Sequence, residues 1–328
     1  MIIVLIILFA ALAFPGITWI YYQITFLSPN KTQGDDFRIS TSEQMAPFRE
    51  RALSDIVKIR EKPFEAAEIL SGDGLRLKGR YYHQKDGAPL VIAFHGYRGT
   101  AFRDFSAGSH GYLSFGFNLL MIDERAHGGS EGHTITFGIR ERYDCLDCAR
   151  YAAERFGSGT KIILAGISMG AATVLMASEL DLPGNVCGII ADCPYSTPEA
   201  IIKKVLKGRG LPVPMGWFFV RAAALLFGHF DIAPAGQPGG ASPEAGASHD
   251  WNLRADAREA VTRAKVPILL IHGEDDHFVP CDMSREIAAA NPEKIRFHTF
   301  PGAGHGLSYL VDEPRYTGLI RDFTSEIL

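Results

Sequence analysis

From Ile2 to Phe14 the chain carries no polar side chain, and Ile17 to Leu27 continues mostly apolar and aromatic. Ile2 to Tyr22 is long enough for a helix that crosses a bilayer, with Trp19, Tyr21 and Tyr22 where an interfacial aromatic belt would sit. Pro15-Gly16 could kink such a helix without forbidding it. A cleaved signal peptide is the competing reading, because Ala11-Leu12-Ala13 resembles a small-residue cleavage site. No Lys or Arg precedes the apolar run, however, as the n-region of a signal peptide requires. The pattern therefore favours an uncleaved N-terminal membrane anchor over residues 1–27. Its orientation is not encoded in the flanking charge, since Lys31 and Arg38 are offset by Asp35 and Asp36.

The pattern then changes. Residues 28–72 form a linker, in which Ser42 to Arg60 reads as a short amphipathic helix interrupted by Pro47. After the turn signal Gly72-Asp73-Gly74, Leu75 to Tyr82 alternates in strand fashion. Apolar runs of buried-strand length follow: Leu90 to Phe94, Asn118 to Ile122, Lys161 to Ala165, Cys187 to Ala191, Val266 to Ile271 and Ile295 to Phe300. Helical patterns lie between or after them, at Arg140 to Phe156, Met169 to Leu180, Asp282 to Ala290 and Pro314 to Ile327. Strands without an outward polar face that alternate with helices predict an α/β fold over residues 73–328, a doubly wound and mainly parallel sheet. Residues 194–258 interrupt the alternation with an apolar helical part, Gly216 to Phe230, and a Pro/Gly/Ala/Ser-rich tail, Ala233 to Ser248. Inserted between two sheet strands, this segment is expected to form a small cap over the strand ends. A second membrane-touching helix at Trp217-Phe218-Phe219 is the alternative.

Composition narrows the function. A net charge of −4 with no Lys/Arg-rich stripe argues against a nucleic-acid partner. Five scattered cysteines, an odd number, are not a disulfide framework. Cys145 and Cys148 form a CxxC within a helical pattern, but with no second pair or nearby His they read as buried thiols rather than metal ligands.

The strongest chemical signal is Gly166-Ile167-Ser168-Met169-Gly170, between a strand run and a small-residue helix. A serine hydroxyl becomes a useful nucleophile when a tight strand-to-helix turn lifts it clear of the sheet, and flanking glycines make room for that turn. The helix that follows directs its free amides at negative charge forming beside Ser168. Such a serine needs a base, and the base an orienting acid. His305, in the loop Pro301-Gly302-Ala303-Gly304-His305-Gly306 after a strand, has little to bury it and suits a general base. For the acid, Asp275 and Asp276 end one strand and Asp192 another. Upstream, His95-Gly96-Tyr97 also follows a strand, so the amides of Tyr97 and Met169 can pair as an oxyanion hole. His95 is expected to brace that loop. The turn from Asp123 to Ser130 reads as an ion-pair network beside the site, with Asp123 and His127 as weak candidates for substrate contact.

Together these elements, running in order from Gly72 to the C-terminus, resemble the α/β-hydrolase superfamily. They are His95-Gly96, Asp123 to Ser130, the glycine-flanked Ser168, His272-Gly273-x-x-Asp276-x-x-Val279-Pro280 and Gly304-His305-Gly306. The narrower likeness is to a bacterial membrane-anchored branch described as serine aminopeptidase-like or prolyl-oligopeptidase-like. The resemblance selects Asp276 as the acid and implies a serine hydrolase that cleaves carboxylic esters through an acyl-enzyme. Ser168 attacks, His305 transfers the proton, Asp276 orients His305, and no metal or organic cofactor is required. Peptidase, amidase, thioesterase and lipid acyltransferase chemistry use the same apparatus. A non-catalytic, membrane-tethered binding protein is the reading from a different class, but it would be expected to have lost one of the three residues. Because the predicted strands lie beyond Gly72, the N-terminal segment is expected to govern location rather than chemistry.

Overall fold

The computed structural model describes residues 2–28, 39–233 and 254–328, with side chains from residue 13 onward. Eight strands form one sheet: β1 (Glu65–Leu70), β2 (Arg76–Tyr82), β3 (Leu90–Phe94), β4 (Asn118–Asp123), β5 (Ile162–Ile167), β6 (Val186–Asp192), β7 (Ile268–Gly273) and β8 (Ile295–Phe300). Their spatial order is β1-β2-β4-β3-β5-β6-β7-β8. The first two neighbour pairs are antiparallel and the rest parallel. The predicted apolar runs are these strands, shifted by a residue or two at their ends. β3 has every residue buried, because helices cover both faces of the sheet. β1 escapes the sequence pattern because it is an edge strand with four exposed positions, paired to β2 across the turn at Gly72-Asp73-Gly74.

The helices in chain order are α1 (Ile2–Thr25), α2 (Arg49–Arg60), α3 (Ala101–Asp104), α4 (Ser106–Ser114), α5 (Glu141–Phe156), α6 (Met169–Ala177), α7 (Pro198–Gly208), α8 (Val213–Ala223), α9 (Ala257–Val261), α10 (Cys281–Ala290), α11 (Ser308–Val311) and α12 (Glu313–Ile327). A 3₁₀ turn, Glu43–Phe48, contains Pro47 and precedes α2, as the interrupted amphipathic pattern suggested. Cys145 and Cys148 are both buried on α5, where loss of hydration pushes their thiols well up. The segment between β6 and β7 contributes α7 and α8. Thr197 caps α7 by accepting from the Ala200 amide, with Pro198 at the first helical position. Most of the expected tail, from residue 234, lies outside the described residues.

Strand order positions the site. The chain runs from β3 outward to β4 and then returns past β3 to β5, so β3 and β5 are neighbours whose connections leave in opposite directions. The loops at their carboxyl ends part there and leave a crevice, the usual ligand position in open α/β sheets.

The N-terminal expectation needs correction. Among the described residues no helix is long and apolar enough to cross a membrane, so a spanning anchor over residues 1–27 is not supported. The side chains of its first part, up to residue 12, lie outside the described ones. From Phe14 onward, one face of α1 packs on protein, while Ile17, Trp19, Ile20 and Ile24 stay exposed. Phe14 meets Phe218 and Phe219, Tyr21 stacks on Phe219 at 5.5 Å, and Trp19 meets Phe227 edge-on at 4.9 Å. Tyr22 and Phe26 are buried in the same core as the sheet. The aromatic residues placed in an interfacial belt therefore hold a helix–helix contact.

Candidate active site

Ser168 sits between the last residue of β5 and the first of α6, with φ 56° and ψ −113°. This left-handed backbone is costly for a non-glycine residue, and the surroundings enforce it. A Cβ on Gly166 would lie 2.2 Å from the Gly170 carbonyl oxygen, and one on Gly170 would lie 2.0 Å from the Phe94 carbonyl oxygen. Only glycine fits at both places. The Ser168 amide donates to the Asp192 carbonyl at 2.8 Å, which ties the turn to β6.

His305 lies beside this serine. Its Nε2 is 2.9 Å from Ser168 Oγ and its Nδ1 is 2.6 Å from Asp276 Oδ2. Burial alone would raise the Asp276 carboxyl. Hydrogen bonds from His272 and His305, and from the Val279 amide, instead hold it well below the usual carboxylate range. Asp276 Oδ1 accepts from the Phe278 and Val279 amides at 2.8 Å each. An ionised Asp276 makes Nδ1 the protonated nitrogen of His305, which leaves Nε2 free to accept a proton from Ser168.

The competing acids face elsewhere. Asp275 is exposed, and its backbone carbonyl accepts from Gln44 Nε2 at 2.8 Å. Asp192 is buried at the end of β6, and its carboxylate Oδ1 has no partner among the described residues. Burial raises Asp192 to about 6, partly opposed by His272 and by a hydrogen bond with Tyr316.

The loop after β3 is held at each residue around Tyr97. The Gly96 amide donates to Asp104 Oδ2 at 2.9 Å and the Arg98 amide to His127 Nε2 at 3.0 Å. The Tyr97 amide between them has no acceptor among the described residues. Met169 opens α6, so its amide has no intrahelical acceptor either. His95 and His127 are both buried, and burial depresses them to about 4 and about 3. Each stays neutral with Nδ1 donating to a backbone carbonyl, Gly96 for His95 and Arg125 for His127, so that Nε2 is left as an acceptor. His95 Nε2 accepts from the Glu124 amide at 3.0 Å. His127, a weak candidate for substrate contact, thus braces the Tyr97 loop instead. Asp123 accepts from the Ala101 and Gly129 amides. Arg125 forms the expected buried ion-pair network with Asp144 and Asp73.

Two cavities meet at Ser168. The larger, about 960 Å³, sets Arg103, Asp104, Asp192 and His277 among mainly apolar walls that include Ile56, Phe105 and Leu310. The smaller, about 220 Å³, is mainly apolar and lies under α7 and α8. Several contributors were invisible in the sequence: Asp104, Arg98, the 39–45 segment beside the larger cavity, and α1 beside the smaller one. The contacts of Arg98 with α1 and of Gln44 with Asp275 span many tens of residues, and Asp104, though only eight residues from Gly96, sits in no motif. As a donor set, the Cys193 thiol, Asp276 and His305 come within 4.8 Å of one another. Both His305 nitrogens are already committed, and burial keeps the Cys193 thiol protonated, so these groups suit proton transfer better than metal ligation.

With this sheet and this line of polar groups at its carboxyl edge, the protein is an enzyme of the hydrolase type. Residues 90–317 match the profile of the Alpha/beta hydrolase family, to which the chain belongs. It is similar to an uncharacterised protein, YqkD, of Bacillus subtilis (strain 168), with 23% identity over 78% of this chain and 77% of that one. It is also similar to lysophosphatidylserine lipase ABHD12 of Danio rerio, with 22% identity over 72% of this chain and 58% of that protein. Among solved structures, the esterase Pf2001 of Pyrococcus furiosus superposes with a TM-score of 0.64 at 17% identity, covering 92% of this chain and 97% of that one, a likeness of fold.

Proposed function

We propose that the protein hydrolyses carboxylic esters through an acyl-enzyme on Ser168. The observation that carries this reading is the hydrogen-bonded line Ser168–His305–Asp276. Ser168 Oγ attacks the ester carbonyl while His305 Nε2 takes its proton, and Asp276 stabilises the resulting imidazolium. The amides of Tyr97 and Met169 receive the developing oxyanion. His305 then gives the proton to the leaving alkoxide, and a water activated by the same nitrogen releases the acid. The described part of residues 194–258, chiefly α7 and α8, acts as a cap over this site, and the 39–45 part of the linker borders the larger cavity.

The apolar lining of the smaller cavity favours an acyl chain over a peptide. The names of the similar proteins, an esterase and a lipase, point the same way. The wholly apolar Ile2 to Phe14 run supports contact of the N-terminal segment with a membrane surface. A fluorophosphonate probe is expected to label the wild type and not Ser168→Ala, and p-nitrophenyl esters are expected to turn over faster than aminoacyl anilides. Labelling that survives Ser168→Ala would overturn the nucleophile, and a preference for anilides would replace the esterase with a peptidase.

A further inference from the structure

We propose that the last turns of α1 form a wall of the acyl-binding cavity, and that Ile24 and Tyr21 set the acyl-chain length the enzyme accepts. This rests on the ester-hydrolase reading above and deepens it. The smaller cavity touches Ser168 and runs away from it between two walls. One is α7, through Ile201, Ile202 and Val205; the other is α1, through Tyr21, Ile24 and Thr25. The larger cavity, which carries Arg103, Asp104 and Asp192 among apolar residues, also borders Ser168. A tetrahedral centre on Ser168 Oγ therefore borders both cavities, and the smaller, more uniformly apolar one fits an acyl chain while the larger is left for the alcohol.

The α1 wall is fixed to the body, and to the same loop that carries the Tyr97 amide. Arg98 Nη2 reaches the carbonyl oxygens of Gln23, Ile24 and Leu27 at 3.2, 3.0 and 2.9 Å. The first two are among the unsatisfied acceptors at the negative end of α1, where a guanidinium is most effective. Tyr97 Oη donates to the Thr25 carbonyl at 2.8 Å. Tyr22 Oη lies 2.6 Å from Thr134 Oγ1, and the Ile135 amide donates to the Phe26 carbonyl at 2.8 Å. On the outer side Tyr21 stacks on Phe219 of α8. Ile24 borders the cavity yet is 45% exposed, which puts it at the mouth, where a longer chain must pass. Phe218 and Phe219 of α8 hold α1 from outside, while α8 itself contributes Val220 to the cavity.

The test uses the full-length chain and p-nitrophenyl esters from acetate to dodecanoate. Ile24→Trp is expected to lower the ratio of kcat/KM for the longest good substrate to that for acetate by tenfold or more. Ile24→Ala is expected to move the optimum to longer chains, since pocket contacts discriminate by about 10–200-fold per methylene. Ile20→Trp, on an exposed face of the same helix away from the cavity, is the control and leaves the ratio unchanged. A merely structural role for α1 would lower all esters together and leave the ratio where it was. Ratios within twofold of wild type for both Ile24 variants, in protein that melts normally, would overturn the proposal while leaving the ester-hydrolase reading intact. If the wild type shows no Ser168-dependent hydrolysis of any ester in the series, that reading fails and this inference falls with it.

Discussion

Asp276 and Asp192 end neighbouring strands, and their surroundings push them in opposite directions. Asp276 is held low by donors on both oxygens, whereas Asp192 is raised to about 6 by burial, with no partner for Oδ1 among the described residues. Only the first is suited to hold a negative charge against His305. Asp276→Asn is accordingly expected to cut turnover of a short ester by roughly ten-thousand-fold with an unchanged circular dichroism spectrum, because His305 loses its tautomer and its counter-charge. Asp192→Asn should cost far less. Its effect belongs to stability. A carboxyl that ionises at about 3.9 when unfolded and about 6 when folded makes the native state bind the extra proton, so wild type loses stability as pH rises between those values. Denaturant midpoints at pH 4 and pH 7 should show Asp192→Asn gaining on wild type across that interval, on the order of 2–3 kcal/mol. Asp276 has the opposite sign: its contribution is present above about pH 4 and is lost as pH falls through its depressed folded value. Ser168 and His305 were legible in the sequence because glycines mark the turns around both. Asp276 was selected over Asp275 only through the resemblance of His272-Gly273-x-x-Asp276-x-x-Val279-Pro280, because adjacent residues of one loop differ only in the direction they leave it.

At the scale of elements, the strand-to-helix turn around Ser168 depends on backbone contacts that leave no room for a methyl group. Gly170→Ala would drive a Cβ into the Phe94 carbonyl and Gly166→Ala into that of Gly170. Each is expected to lower the melting temperature and abolish ester turnover, whereas Gly184→Ala, with open space around it, should do neither. The central strands could be read from apolar runs because a strand covered on both faces needs no polar face. β1, α3 and α4 were not, since an exposed edge strand and short helices carry little periodic signal. α1 was read as a separate element that governs location alone, yet its end is clamped by Arg98 and borders the smaller cavity. Deleting residues 2–12 should therefore leave short-ester turnover close to wild type. Deleting 2–27 strips Arg98 and Tyr97 of their carbonyl acceptors, and should lower the melting temperature and cut turnover by tenfold or more. Equal activity of the two truncated proteins would return α1 to a role in location only.

For the molecule as a whole, the fold class followed from the sequence because the alternation of buried strands with helices leaves few ways to cover both faces of a sheet. The residues at the strand ends were legible for a related reason: the chemistry depends on local turns, and local turns write themselves in glycine. What the sequence could not contain was the assignment of apolar surface to partners. A run such as Phe14 to Phe26 looks the same whether it will meet lipid or Phe219, Phe227 and Phe230, because hydrophobic burial is non-directional and indifferent to what covers it. The strand order, the crevice between β3 and β5, the division of that crevice into a larger and a smaller cavity, and the placing of α1 against the second were decided only by tertiary packing. Each depends on contacts between residues far apart in the chain, and shape complementarity between such surfaces leaves no period or motif along the sequence.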